Sequence, residues 1–488
     1  MNKSIWPVAF LLAAGVAAIS IYVKNLNMSN MDNGRLEGNK GNRDFTDEQV
    51  GRFFKQRRTK LMEQCSNGII LLSNCKATSE NFLYLTGFDE PNAVCVLVPG
   101  SDKPFRLYVE PDNPVMRLWT SSHYGVSGAI QKFGADEAFS IDELAAQLPD
   151  LLSGHKLLYY IPDDSKVQDL LEELKTEKPA LADPVSLLEE MRVIKDEYEI
   201  RQLKRAAAAT CDGYIRALKT AAPGKMEYEI QAEVEYAYKR NGMSPGYTSI
   251  IGSGPNATVL HYDSNNRRME SGDLLLMDAA AACNHYSADL TRTIPVNGKF
   301  APMQKEMYEL VLHALQEGMK EMIPGKRILD CHHTATRIII EGLYNKGLIT
   351  DSSKFWQRRF YIHYRNDHYI GLNVHDVGSY GDFNASARDE YIVTPAVRGR
   401  LLEPGMVLTM EPGIYLSAER IDQLKEIFPD VPQEEIDAFL AKVKPVYMRY
   451  AGIGIRIEDD ILITREGNEI LTAAAPKGVE EIEEMMKK

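Results

Sequence analysis

Apolar strand patterns that end in acidic residues constrain the fold of this chain more than any other feature. The run Leu-Leu-Leu-Met precedes Asp278 and predicts a strand that ends at this carboxylate. Asp289 follows eleven residues later in a second strand pattern. A third apolar strand pattern ends at Glu411-Pro-Gly. Buried strands do not carry carboxylates without compensation, so the pattern indicates a site around which the strands converge.

The spacing of Asp278 and Asp289 predicts a hairpin. If Cys283 and Asn284 form its tip, the two aspartates lie directly opposite each other on one face of the sheet. Like charges in that arrangement destabilise a sheet, and a divalent metal ion between them is the simplest compensation. The alternative is a longer loop in which both carboxylates face solvent.

The last strand pattern, residues 452–461, alternates isoleucines with charged residues. Arg456, Glu458 and Asp460 share one face and the isoleucines share the other. A strand with an apolar face against helices and a charged row opposite suits the wall of a site. A solvated amphipathic strand fits the same alternation.

Three of the ten histidines fall close together, at His363, His368 and His375. Neutral imidazole is both a common metal ligand and a common acid–base group. Two Asp, two Glu and one His form an oxygen-rich set that suits Mn, Co, Fe or Zn better than a thiolate-selecting metal. Five ligands exceed what one ion with an open position needs, so the set favours a two-metal site.

Composition excludes several other classes. A chain of 488 residues suggests two or three domains. Its formal net charge of −13 argues against a nucleic-acid partner. The six cysteines form no C-x-x-C pair, which argues against zinc knuckles and thioredoxin-type redox chemistry. Residues 252–257 match a dinucleotide fingerprint, but we expect a strand over 258–262 where that fingerprint needs a helix.

The remaining patterns divide the chain into four parts. Residues 1–27 contain the uncharged run 5–23, long enough for a membrane anchor or, with cleavage, a signal. Residues 28–44 predict a flexible tether; if translation starts at Met28 or Met31, we expect a cytoplasmic protein. Residues 45–190 alternate strand and helix patterns and predict an α/β domain. Residues 191–488 begin with two helices, the first starting at Asp196, and then become rich in strands.

The motifs in order resemble those of the pita-bread, creatinase-like metallopeptidases, specifically the Xaa-Pro aminopeptidases (aminopeptidase P). The motifs that carry the resemblance are Leu260-His261-Tyr262, Asp278 with Asp289-Leu-Thr-Arg-Thr, His368-Tyr-Ile-Gly-Leu-Asn-Val-His375-Asp, Glu411-Pro-Gly-Ile-Tyr415 and Gly-Ile-Arg456-Ile-Glu458-Asp. Leu83-Tyr-Leu-Thr-Gly87 and Phe133-Gly-Ala-Asp136 resemble the creatinase-type amino domain. The resemblance implies an α+β protein: a C-terminal pita-bread catalytic domain preceded by an α/β creatinase-type N-terminal domain.

The resemblance also implies roles for individual residues. The metal ligands are expected to be Asp278, Asp289, His368, Glu411 and Glu458, holding two divalent ions, with manganese the expected metal. A hydroxide bridging the ions would attack the carbonyl before proline. The catalytic residues are expected to be His261, His363, His375, Glu411 and Arg456. His363 departs from the pattern, because the family has Pro-His-Gly-x-x-His and this chain carries one extra residue before His368.

In this interpretation His375 stabilises the oxyanion and Glu411 moves a proton to the departing nitrogen. His261, Tyr262 and Tyr415 are candidates to line a slot for the proline ring. The substrates are expected to be peptides with proline in the second position, and we expect a homo-oligomer, a dimer or a tetramer. A prolidase, with Arg398 clamping the dipeptide carboxylate, and a non-catalytic binding protein are the alternatives.

Overall fold

The computed structural model describes residues 45–487, apart from 75–78, 120–122, 175–177 and 382–396. The helices of the described part are α1 (Asp47–Gln64), α2 (Ser79–Thr86), α3 (Gly125–Gln131), α4 (Leu144–Leu152), α5 (Ser165–Glu173), α6 (Val185–Val193), α7 (Glu197–Thr220), α8 (Glu227–Arg240), α9 (Pro302–Glu321), α10 (Ile328–Asn345), α11 (Phe355–Tyr361), α12 (Leu424–Ile427), α13 (Gln433–Tyr450) and α14 (Val479–Met485). The run at 5–23 and the tether at 28–44 lie outside the described residues. Among the described helices, none has the length and apolar character that crossing a membrane requires.

The N-terminal part is built on a mixed sheet. Its strands are β1 (Ile69–Ser73), β2 (Val94–Leu97), β3 (Phe105–Val109), β4 (Glu137–Ser140), β5 (Leu157–Tyr159) and β6 (Ala180–Ala182). The strand order is β4-β3-β2-β1-β5-β6, with β1, β2 and β3 antiparallel and the outer strands added in parallel. The central strands β1 and β2 are buried throughout, which explains why all their residues except Ser73 are apolar. The alternating patterns correctly predicted an α/β fold here.

Two helix pairs and several short sheets form the C-terminal part. Helix α7 packs against α8, and α9 packs against α10. Asp196 caps α7, and its carboxylate accepts a hydrogen bond from the Glu199 amide, as the predicted start of this helix requires. The strands are β7 (Ser244–Pro245), β8 (Ile250–Ser253), β9 (Leu274–Asp278), β10 (Ala281–Cys283), β11 (Tyr286–Ser287), β12 (Thr291–Pro295), β13 (Val407–Met410), β14 (Gly413–Leu416), β15 (Ile453–Arg456), β16 (Asp459–Ile463) and β17 (Asn468–Ile470).

These strands form four small antiparallel sheets. Their orders are β11-β10-β7, β12-β9-β8, β13-β16-β17 and β14-β15. Sheets and helices share one large apolar core, which contains residues of α7, α9, α10 and the strands between them. The strand ends that carry acidic residues therefore lie on a rigid scaffold.

The predicted register of the hairpin was wrong, because its turn lies one residue later in the chain than predicted. Its tip is Asn284-His285, because both residues adopt left-handed backbone angles, with φ of 47° and 71°. Asp278 pairs with Thr291 instead of Asp289. The pairing shifts by two residues, so each side chain stays on the same face of the sheet. Asp289 therefore still lies on the same face as Asp278, now as its diagonal neighbour.

Two other predictions of regular structure are corrected. Residues 452–461 form not one strand but two, β15 and β16, which pair with different partners, and Glu458 lies at the break between them. The residues after the apparent dinucleotide fingerprint do not form the expected strand. Gly254–Thr258 is a short 3₁₀ helix and 259–262 is irregular. A helix of five residues still lacks the context of a dinucleotide site.

Candidate metal centre and substrate shell

The five predicted ligands converge from separate strands and loops. Ligand atoms of Asp289, His368 and Glu458 all lie within 4.8 Å of one another. His368 Nε2 lies 3.3 Å from Asp289 Oδ2 and 3.6 Å from Glu411 Oε1. The geometry brings together residues separated by up to 180 positions in the sequence, although the role of each as a ligand stays a prediction.

Tyr247 connects the two aspartates and was not predicted. Its hydroxyl oxygen lies 2.5 Å from Asp278 Oδ1 and 2.7 Å from Asp289 Oδ1. Tyr247 follows the two-residue strand β7, where the sequence has no periodic pattern to mark it. The hydroxyl fixes the separation of the two carboxylates that the diagonal register of the hairpin brings onto one face.

The electrostatics of the cluster favour a cation. Burial raises the pKa of Asp278 and Glu458, and neighbouring carboxylates add to the shift. Burial and the same neighbours raise the pKa of Glu411 to about 8, against the effect of His368 and Arg456. Burial lowers the pKa of His368, but Asp289 and Glu411 raise it to about 9. Divalent cations would relieve this repulsion, so the residues fit a metal site.

Arg456 orients the ligands from one side. The side chain is buried, and its guanidinium contacts Asp278 Oδ2 at 2.5 Å and donates to the Tyr415 hydroxyl at 2.6 Å. Its Nε donates to Thr291 Oγ1 at 3.0 Å, and Thr291 in turn donates to Glu458 Oε2 at 2.7 Å. One arginine therefore contacts the Asp278 carboxylate directly and the Glu458 carboxylate through Thr291.

His375 and His261 lie beside the cluster. The ring of His375 packs edge-on against His368, with centroids 4.5 Å apart. Burial, together with His368, lowers the pKa of His375. His261 is exposed, in the irregular segment after the 3₁₀ helix. The neighbouring Tyr262 anchors this segment, since its hydroxyl donates to the buried Glu227 at 2.8 Å.

His363 and the adjacent Tyr364 both lie near Tyr415. The ring of His363 lies 5.9 Å from that of Tyr415, and burial lowers the pKa of His363 to about 3, with smaller effects from nearby arginines. Tyr364, which was not predicted, donates to the Glu411 carbonyl oxygen at 2.9 Å. Its hydroxyl also lies 2.9 Å from that of Tyr415. Tyr262, Tyr364 and Tyr415 belong to one small apolar cluster with Leu260.

Arg398, the candidate carboxylate clamp, is paired within the chain. Its Nε and Nη2 contact the two carboxylate oxygens of Asp330 at 2.8 and 2.6 Å. Asp330 also accepts a hydrogen bond from the backbone of Arg327 near the start of α10. Asp330 therefore already occupies the bidentate position on Arg398 that a dipeptide carboxylate would need.

Comparisons with known proteins identify the family of this chain. Residues 201–465 match the model of Metallopeptidase family M24, and residues 54–159 match the aminopeptidase P N-terminal domain. The chain is 36% identical to the Xaa-Pro aminopeptidase of Haemophilus influenzae, over 89% of this chain and 96% of that protein. The structure of the Pseudomonas aeruginosa aminopeptidase PepP superposes with a TM-score of 0.77 at 33% identity, covering 89% of this chain and 98% of that one.

A zinc-substituted Escherichia coli aminopeptidase P in complex with product also superposes, with a TM-score of 0.76 at 34% identity over 89% of this chain and 98% of that one. The fold and the site define a two-domain, metal-dependent peptidase. The chain belongs to metallopeptidase family M24 and carries the N-terminal domain of aminopeptidase P. The family resemblance and the fold class inferred from the motifs are confirmed; the boundaries at residues 44 and 190 stay predictions.

Proposed function

We propose that this protein is an Xaa-Pro aminopeptidase, which releases the first residue of a peptide whose second residue is proline. The observation that carries the proposal is the convergence of Asp278, Asp289, His368, Glu411 and Glu458 beside His375. The similarity to Xaa-Pro aminopeptidases extends through the N-terminal domain as well as the site. A non-catalytic binding protein would have no use for a complete set of ligands.

The five converging residues would hold two divalent ions. Four carboxylates and one imidazole suit divalent metals with oxygen preference, and manganese is our proposed metal. When bound, the ions would supply a nucleophile from water near neutral pH and polarise the scissile carbonyl. Tyr247 and Arg456 hold the carboxylates in place before any ion binds.

The remaining residues act on the peptide. In this proposal His375, whose ring packs against His368, donates a hydrogen bond to the oxygen on which negative charge develops. A carboxylate oxygen of Glu411 carries a proton to the departing proline nitrogen. That nitrogen has no N–H, and its ring needs an apolar surface, which Leu260, Tyr364 and Tyr415 offer.

A peptide panel tests the proposed activity. Purified protein with added manganese is assayed against Xaa-Pro, Xaa-Pro-Yaa and Xaa-Ala-Yaa peptides that share the same first residue. We expect cleavage of Xaa-Pro-Yaa and little cleavage of Xaa-Ala-Yaa. Cleavage confined to the dipeptide would identify a prolidase, and equal cleavage of the alanine tripeptide would refute proline selectivity.

Metal stoichiometry needs a separate experiment. Elemental analysis after loading and removal of free metal should give two ions per chain. Loading with manganese, cobalt and zinc in parallel, followed by the peptide assay, tests whether manganese gives the highest turnover. Saturation at one ion per chain would contradict the two-ion proposal.

Location and assembly are further proposals. We propose that residues 5–23 anchor or export the protein, and that the chain assembles as a homodimer or homotetramer. Fractionation of cells expressing the full chain or a chain starting at Met31 tests the first proposal, and an identical cytosolic distribution would refute it. Light scattering of the purified protein gives the oligomer mass, and a monomer would refute the second.

A further inference from the structure

A buried carboxylate follows directly after His375. The Asp376 side chain is 2% exposed and lies between two cations. Lys195 Nζ contacts Asp376 Oδ2 at 2.9 Å, and the Arg192 guanidinium pairs with Oδ1. Burial opposes ionisation of Asp376, but Lys195 and Arg192 outweigh it and hold its pKa below the ordinary value. Asp376 is therefore a fixed anion next to a residue of the substrate shell.

Both cations come from the segment that joins the two parts of the chain. Arg192 lies near the end of α6, and its Nη1 donates to Asn81 of α2 at 2.8 Å. Lys195 Nζ also donates to the Arg192 carbonyl oxygen at 2.6 Å. The hydroxyl of Tyr84, also in α2, donates to the Met191 carbonyl oxygen at 2.9 Å. Contacts with the N-terminal part thus extend through α6 to Asp376.

The segment between His368 and His375 is folded around this carboxylate. The Asp376 amide donates to the Tyr369 carbonyl oxygen at 2.9 Å and closes the segment. A Cβ atom on Gly371 would lie 2.0 Å from Asp376 Oδ2, so a larger residue there would displace the carboxylate. A Cβ atom on Gly378 would lie 2.4 Å from Val193 Cγ2, so the backbone after Asp376 packs directly on the joining segment.

A buried ion pair of this kind contributes little net stability compared with apolar packing, because both partners lose their hydration. Its effect is instead on geometry, because the two cations Lys195 and Arg192 hold the two oxygens of the Asp376 carboxylate in one position. The backbone of Asp376 is fixed with it, and His375 is the adjacent residue. The ring of His375 must in turn be held against His368 for hydrogen bonding to the substrate.

We propose that Asp376, held by Lys195 and Arg192, is a positioning residue for His375, and that docking of the N-terminal part sets the place of that histidine. The inference rests on the proposed function, in which His375 stabilises the oxyanion. It assigns to the joining segment 191–196 a role in turnover as well as in linking two domains.

Steady-state kinetics tests the proposal. Asp376→Asn should lower kcat by about 10- to 100-fold and leave KM within about threefold, since displacement of a catalytic group by about 1 Å can cost two orders of magnitude. Gly371→Ala, which keeps all three charges, should have the same effect on kcat. Lys195→Met removes one cation and is the milder variant if Asp376→Asn does not fold. Wild-type kcat in the folded variants would overturn the proposal.

Glu199→Gln is the matched control. Glu199 is buried in α7 and pairs with Arg57 of α1 at 3.5 Å, so it too is part of an ion pair between the two parts of the chain. Its side-chain oxygens contact Arg57, Tyr286 and the Asp196 amide rather than Asp376 or its two cations, and we expect kcat to stay within about twofold of wild type. A loss of kcat equal to that of Asp376→Asn would show a general effect of domain docking and would overturn the specific role of Asp376.

A double variant separates positioning from general structure. In a His375→Ala background, Asp376→Asn should cause no further loss of kcat, because the group it positions is gone. A full additional loss would overturn the proposal.

Histidine side-chain NMR of zinc-loaded, ¹⁵N-histidine-labelled protein gives a readout that needs no turnover. Asp376→Asn should shift the His375 signal, and Glu199→Gln should not. An unchanged His375 signal in Asp376→Asn would refute the positioning role even if the peptidase activity is confirmed. Absence of wild-type cleavage together with the shift would instead refute the proposed activity alone.

Discussion

Two groups of buried carboxylates in this protein differ in what neutralises them. Asp376 and Asp459 each pair with two cationic side chains of the chain itself, and these pairs hold the pKa of each carboxyl below its ordinary value against burial. Glu458 is also buried and Asp278 and Glu411 are largely so, yet the pKa values of all three are raised. The first group is internally compensated, whereas the second is compensated only in part.

Glu458 and Asp459 show the contrast in adjacent residues. Asp459 accepts from Arg292 Nη2 at 2.7 Å and from Thr472 Oγ1 at 2.8 Å. Glu458, one residue earlier, accepts from the neutral hydroxyl of Thr291 and lies among other carboxylates. The chain thus gives Asp459 two paired cations, whereas Glu458 is reached by Arg456 only through Thr291. Partial compensation marks the side where a metal ion has to complete the charge balance.

The largest expected effect comes from Asp289→Asn. The substitution keeps the size of the side chain but removes the charge of a predicted metal ligand, so turnover of Xaa-Pro-Yaa should be lost and metal content should fall. Circular dichroism should show a folded protein, because the hairpin backbone is unaffected. Asp289→Asn with wild-type turnover and metal content would show that Asp289 is not a ligand.

His375→Ala should have the next largest effect. Loss of one donor to an oxyanion typically lowers kcat by about 10²–10³-fold. Metal content should stay at the wild-type level, since His375 packs against His368 but is not one of the five predicted ligands. Parallel elemental analysis decides between the roles: equal losses of metal and kcat would make His375 a ligand.

Metal removal should make stability fall with rising pH. In the chelated protein, Glu411 keeps its proton up to about pH 8, whereas the unfolded chain releases it near 4.5, so the folded state loses stability as pH rises between these values. His368, with a pKa raised from 6.5 to about 9, acts in the same direction at higher pH. Thermal melts with and without chelator should therefore show a gain in Tm from metal that grows from about pH 5 to about pH 8. A constant gain would contradict the partial compensation of this cluster.

The sequence was most informative about features that are determined by a local pattern of apolar and polar residues. Apolar strand patterns ending at Asp278 and Glu411 predicted both strands, and the helix expected from Asp196 is α7, which begins at the next residue. The alternation in the N-terminal part predicted its α/β sheet. These features depend on local periodicity and on residues close in sequence, which a single chain displays directly.

The missed features depend on distant contacts or on a single turn residue. Tyr247 and Tyr364 act through hydroxyl groups whose partners lie far along the chain, and aromatic residues in irregular segments give no pattern. The hairpin register depended on which two residues adopt left-handed backbone angles. Asn284 and His285 do so, but the loop lacks the glycine that usually marks such a turn. The partners of Asp376 are about 180 positions away, which no local rule detects.

The smallest expected effect concerns Arg398, whose partner Asp330 is, like Asp376 and Asp459, a carboxylate that a cation of the chain itself neutralises. Its guanidinium is paired with Asp330, while about half of its side chain is exposed. Because exposed ion pairs contribute about 1 kcal/mol or less, Arg398→Ala should lower Tm only slightly and change kcat/KM for Xaa-Pro-Yaa by no more than about twofold. The same small change is expected for the Xaa-Pro dipeptide, since the paired guanidinium is not available to its carboxylate. A selective loss of dipeptide cleavage, of tenfold or about that size, would mean that substrate displaces Asp330, and the arginine would then be the clamp of a prolidase.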